Sequence, residues 1–456
     1  MRPLILGLLT LGLLLGTASL VQAGKPKGNR RNTKFASREE TEQVLLLVRR
    51  LHGRVRLDLH DGDHDIDDHS DDIPQIGTVD LSGTLVTDQE LDFILRRTPA
   101  LENLLLSHTS IDDTGMASIH DLPNLGTLDL SNTLISGGVT FHLGGVLPEL
   151  ISLDVSNTAT GVVGGPTEPF EPEKLPHLEE LFAVNTQIRD GVGPGTPFGV
   201  RALQQGFPLL RILDISNCRF ITDKALPFAG QMQMLQVLSV AGDKITDAGL
   251  ATLAPAPSLL TLNLAGTQVT GTGLPSLAPL PQLRNLVLNA TPITDASLAN
   301  VRSLPALQVL WLGGTAIGDA GLTSVAGLRL LEELNLSGTR VTDAGMADLR
   351  GLRRLRRLNL FNTQVGDPGV RDLRGLRQLR KLDLGGTRIS NRALETLAGL
   401  PQLDSLSLMG TRVNDQGLRF LAETRALRLV NLRGTRVTRG GVEFLHLADP
   451  DLIILF

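Results

Sequence analysis

The chain has 456 residues, 41% hydrophobic and 20% charged, enough to bury a sizeable core, yet aromatics make up only 3% and tyrosine is absent. That core must come from Leu, Val, Ile and Ala, which suits a regular repeat, although the length alone suggests two or three domains. A net charge of −5 does not by itself imply a nucleic-acid partner, and the single cysteine, Cys218, excludes an internal disulfide and any CxxC spacing for zinc.

At the N-terminus, Arg2, the apolar run from Leu4 to Leu15 and the small residues ending at Ala23 form the pattern of a secretory signal peptide over residues 1–23. An uncleaved membrane anchor is the alternative, because the run almost spans a bilayer. Residues 24–38 read as a basic leader or linker. An N-terminal cap is expected over 39–76: an amphipathic helix at Glu39–Leu51, a strand at Arg54–Leu59, and a loop at His60–Asp72. The loop holds three histidines and seven aspartates. Calcium would draw on Asp61, Asp63 and Asp65, whereas zinc or copper would prefer His60, His64 and His69. The glycine, Gly62, is misplaced for a helix-flanked calcium loop and no terminal glutamate follows, so a solvated acidic hairpin is the other reading. No cofactor is assigned.

From residue 77 to 456 the chain repeats itself. Thr267, Thr291, Thr315, Thr339, Thr363, Thr387, Thr411 and Thr435 recur at a fixed step of 24 residues, the signature of a solenoid. Upstream, the same place is held by Thr84, Thr109, Thr133, Thr158, Thr186, Cys218 and Asp243, for about fifteen units in all. Within a unit, the L-x-L pair (Leu334, Leu336) predicts a short strand. Thr342 and Asp343 predict a helix N-cap, with Met346, Leu349 and Leu352 following at helical spacing. The repeated threonine hydroxyl is expected to bond to backbone in the adjacent coil. Gly- and Pro-rich insertions near 159–175 and 188–207 predict loops whose Phe170 and Phe198 either tuck back or form a binding lobe.

The repeats resemble those of the leucine-rich-repeat family over roughly Val79 to Phe456. The LDLSGTxVTDxGL text is similar to that of exported bacterial members. The resemblance implies an α/β fold: a right-handed curved solenoid with a parallel concave sheet and short convex helices. It also implies a protein-binding role without shared functional residues. The unit around Cys218 (Leu213 to Leu226) is similar to cysteine-containing repeats of F-box substrate adaptors, a role the apparent signal peptide argues against.

Function is therefore sought where residues vary beyond what stacking requires. Between the two strand leucines, outward positions are mostly Asp in the first half of the chain, and Asp129 and Asp154 fall on neighbouring strands. A cation or a basic partner could relieve their repulsion. In the second half Val287, Val309, Trp311, Phe361 and Met409 form an apolar series, in which Trp311 is either an interface anchor or packed on a neighbouring long side chain. From Arg340 to Val442, nineteen arginines and one lysine stand against nine carboxylates, an excess of +11. Arg356, Arg357, Arg380, Lys381 and Arg433 flank the strands there and would steer an acidic partner.

No catalytic constellation is present: there is no GxSxG, no HExxH and no phosphate-binding loop. The expected function is an exported, non-enzymatic protein that binds an unknown protein ligand through its concave face. A polysaccharide or other acidic polymer, or a scaffolding role, is the alternative. Nucleic acid is not expected, because aromatics are too sparse for stacking. The apolar end at Leu452–Phe456 suggests a homodimer contact.

Overall fold

The computed structural model describes residues 36–58, 75–161, 170–191, 199–253 and 256–456. The expected signal peptide, most of the basic leader, Phe198, and the loop with His60, Asp61, Asp63, His64, Asp65 and His69 lie outside the described residues. The chain divides into two compact units, Met1–Ser239 and Val240–Phe456.

In the first unit a helix at Arg38–Arg50 starts with a capping box between Ser37 and Glu40 and buries Thr41, Val44 and Val48. Strand β1 (Arg54–Asp58) then runs antiparallel to β2 (Gln75–Asp80), with a register shift between Arg56 and Leu57. Next come β3 (Asn103–Leu105), β4 (Thr127–Asp129), β5 (Ser152–Asp154), β6 (Glu180–Phe182), β7 (Ile212–Asp214) and β8 (Val237–Ser239). From β2 onward each pairs in parallel with the next.

The second unit holds β9 (Thr261–Asn263), β10 (Asn285–Val287), β11 (Val309–Trp311), β12 (Glu333–Asn335) and β13 (Arg357–Asn359). It continues with β14 (Lys381–Asp383), β15 (Ser405–Ser407), β16 (Leu429–Asn431) and β17 (Ile453–Leu455). These too pair in parallel, each with its successor and without a register shift. Short helical segments such as Asp319–Val325, Gly345–Gly351 and Asn391–Ala398 separate the strands.

The leucine pattern explains this build. In one coil Leu334, Leu336, Val341, Met346, Leu349, Leu352 and Leu355 are all fully buried. Each such side chain stabilises the stack by about 1.5–3 kcal/mol, and none could be buried by a coil standing alone. The residue before each threonine takes a left-handed turn. Gly338 has φ 65° and Asn362 has φ 55°, which is why Gly and Asn alternate there.

Phe170 does tuck back: its ring packs edge-on against Phe207 at 5.5 Å. Gly206 makes room for it, since a Cβ there would lie 2.5 Å from the Phe170 ring.

Candidate functional site

Three sets of repeated polar residues prove to be frame. The first is the threonine ladder. Thr339 Oγ1 donates to the Leu336 carbonyl at 2.6 Å, and Thr109, Thr267 and Thr411 make the equivalent bond at 2.7 Å. The acceptor lies three residues back in the same coil, not in the adjacent coil as the sequence suggested. A left-handed residue just before the threonine brings that carbonyl within reach. Cys218 differs, because its Sγ donates to Ala183 O of the preceding coil at 3.2 Å.

The second set is the outward Asp or Asn of the strand. Its Oδ1 accepts from the backbone N–H two residues on, as for Asp129 (2.9 Å), Asp154 (2.8 Å), Asn335 (2.9 Å) and Asp383 (2.8 Å). This Asx turn ends the strand.

The third set is the Asp of the Thr-Asp pair, which sequence spacing assigned to a local helix cap. It reaches instead into the following coil. Asp343 Oδ1 accepts from Gly366 N (2.6 Å) and Gly369 N (2.9 Å), and Asp319 accepts from Thr342 N (2.8 Å) and Thr342 Oγ1 (2.6 Å). Backbone and hydroxyl bonds from Thr438 hold the Asp415 carboxyl below its usual pKa. The nearby glycine keeps this approach open: a Cβ on Gly369 would sit 2.6 Å from Asp343 Oδ1, and one on Gly345 2.6 Å from Asp319 Oδ1.

On the open sheet face of the first unit Asp129 and Asp154 are register partners, as their spacing implied. Burial, then the Asp129 charge, push the Asp154 carboxyl up to about 7. Burial also raises Asp214, against bonds from Ser216. The repulsion is thus eased by proton uptake near neutrality as well as by Asx-turn bonds. Among the described residues no group of three or more His, Cys, Asp or Glu side chains converges as a metal site.

On the open face of the second unit the structure corrects the picture of Trp311 as an exposed anchor. Trp311 is only 5% exposed, Val287 1% and Val309 9%. Strand pairing sets Val287, Trp311 and Asn335 side by side, and Val309 beside Glu333. The Trp311 indole N–H donates to Glu333 Oε1 at 2.8 Å. Arg357 bonds to the other oxygen of the same carboxylate. Trp311, Glu333 and Arg357 therefore form a closed string across three coils. Glu333 was missed in the sequence, where only its place beside Val309, on the strand next to that of Trp311, marks it.

Phe361 and Met409 are different. Phe361 is half-buried and Met409 exposed. Between their coils lies Gly385, where a Cβ would meet Phe361 Cδ2 at 2.9 Å and Met409 O at 3.2 Å. The missing side chain lets the Phe361 ring spread across the face. Arg433 is exposed on a further coil. Arg356 pairs with Glu332 at 3.4 Å. Arg380 and Lys381 are exposed and form no ion pair among the described residues. The predicted residues thus separate into a buried floor (Val287, Val309, Trp311), an accessible apolar pair, and a basic edge of which Arg356 and Arg357 are already neutralised.

At the last strand Ile453 and Phe456 are exposed, as are Phe444 and Leu447 of the helix Arg439–Ala448. Among the described residues no helix is long and apolar enough to cross a membrane.

Comparison with known proteins agrees with this geometry. A solved leucine-rich-repeat protein from Leptospira interrogans matches with a TM-score of 0.52 at 16% identity, over 80% of this chain and 86% of that one. The mouse RP105/MD-1 complex matches with a TM-score of 0.51 at 17% identity, over 78% and 71%. An internalin from Listeria monocytogenes covers 85% of this chain and 94% of its own at 20% identity, with a TM-score of 0.45. No curated protein matches the sequence. A family model described as a leucine-rich repeat region matches residues 195–442, more than half of the chain. With the repeated leucines buried between parallel strands, this places the chain in the leucine-rich-repeat family.

Proposed function

We propose that this chain is an exported, non-enzymatic protein that binds a protein partner across the open, concave face of its second unit. The leucine-rich-repeat fold is a scaffold for protein interaction, and its members are typically not enzymes; the mouse protein of similar fold is in complex with a second protein. Export is read from Arg2, the apolar run Leu4 to Leu15 and the small residues up to Ala23.

The observation that carries the site is the accessible pair Phe361 and Met409, on coils either side of Gly385, whose missing side chain leaves the face open between them. Trp311, two strands before the Phe361 coil, is held by Glu333 and is not one of the anchors. Arg433, next in register to Met409, and Lys381, at the start of the strand between the two coils, are exposed and favour a partner with carboxylates at its rim.

The test compares capture from an extract of the source cells by the parent chain and by a Phe361→Ser, Met409→Ser variant of equal melting temperature. A partner retained by the parent and lost by the variant supports the reading. The same partner recovered equally by both would remove this face from consideration.

A further inference from the structure

The basic excess of the second unit is not spread evenly. It concentrates on the flank that precedes β13 and β14, off the open face. There the two coils read Arg353-Arg354-Leu355-Arg356 and Arg377-Gln378-Leu379-Arg380. Leu355 and Leu379 are fully buried, so every other side chain of the flank is turned out. Arg353 and Arg377 share one register position in adjacent coils, as do Arg356 and Arg380. Backbone bonding holds the rows together: Arg380 N donates to Arg356 O at 2.8 Å. Cations in adjacent rows are therefore about 4.8 Å apart at their Cα atoms.

Of this group only Arg356 has a carboxylate partner, Glu332. Arg353, Arg354, Arg377 and Arg380 form no ion pair among the described residues. Their mutual repulsion, roughly 1 kcal/mol per close pair in water, is met by no ion pair among the described residues, with Asp404 the carboxylate that follows Arg380 in register on the next coil.

We infer that this flank binds a linear anionic polysaccharide, with Arg353, Arg354, Arg377 and Arg380 each engaging a carboxylate or sulfate group. Guanidinium groups suit both anions because they donate two parallel N–H bonds. A protein partner fits less well, because interfaces centre on apolar or aromatic anchors and no exposed large apolar side chain lies on this flank. A nucleic acid fits less well again, because none of residues 353–356 and 377–380 is an aromatic that could stack on a base. The site is separate from Phe361 and Met409 and does not depend on the protein-binding reading.

The experiment measures binding of the full chain to heparin, polygalacturonate and a single-stranded oligonucleotide. The test variant is Arg353→Glu, Arg354→Glu, Arg377→Glu, Arg380→Glu. The control carries Arg340→Glu, Arg388→Glu, Arg412→Glu, which reverses an exposed row elsewhere on the same unit. The parent is expected to bind a polysaccharide, weakening by about tenfold or more between about 50 and 200 mM salt. The flank variant is expected to lose about tenfold at low salt, while the control retains its affinity. If the reversed chain does not fold, the Gln series at the same four positions replaces it. Equal loss in both variants would mean unspecific attraction to basic surface and would overturn the assignment. So would tighter binding of the oligonucleotide, or no binding of either polysaccharide.

Discussion

Ala290 holds φ at 54°, the left-handed conformation that Gly or Asn takes in most other units. Its Cβ is strained there and its side chain is exposed, so Ala290→Gly is expected to stabilise the chain by roughly 1 kcal/mol. A fall in denaturation midpoint would refute that. Asp154 makes a second residue-scale prediction. Its folded pKa is about 7, raised from 3.8 by burial and by Asp129. The folded state therefore holds this proton more tightly than the unfolded chain. Its contribution is fully present below the unfolded value and is lost as pH rises through about 7. Asp154→Asn keeps the acceptor for Ser156 N but removes the charge. The melting temperature of the parent should fall between pH 5 and 8, and that of the variant should fall less; parallel curves would contradict the shift. The spacing of Asp129 and Asp154 made their encounter legible in the sequence. The size of the effect was not, because burial depends on how tightly neighbouring side chains close over the strand.

At the scale of the element, a coil is held by bonds that a single repeat does not reveal. Leucine spacing alone identifies strand and helical turn, because burial depends on a period that the residues display directly. Of the Thr-Asp pair the threonine does cap locally, Thr342 Oγ1 accepting from Ala344 N at 3.3 Å, whereas the carboxylate finds its partners 23 to 26 residues onward, at Gly366 and Gly369 for Asp343. Two predictions test this ladder. Asp343→Ala leaves two backbone N–H groups without their acceptor and should cost on the order of 1–3 kcal/mol. Gly369→Ala places a methyl group against Asp343 and should also destabilise, but less so in the Asp343→Ala background. Strict additivity in a double-mutant cycle would show that the two residues do not meet. The same principle explains Trp311. A lone tryptophan on an outward position suggests an exposed anchor, yet Glu333, from the next coil, takes its N–H. Trp311→Phe should therefore lower the melting temperature while leaving partner binding intact.

Across the whole molecule the repeated text is frame, and the variable outward positions carry what distinguishes this chain from others with the same fold. The division of charge was readable by counting. Which basic groups are free was not, because Glu332 and Glu333 neutralise Arg356 and Arg357 from the preceding coil. The central claim is that a protein partner covers the open face of the second unit around Phe361 and Met409. Hydrogen exchange of the captured complex against the free chain tests it most directly. The account predicts slowed exchange at residues 357–361, 381–385 and 405–409, with little change in the helices Asn391–Ala398 and Asp415–Ala422. Protection confined to those helices would contradict it.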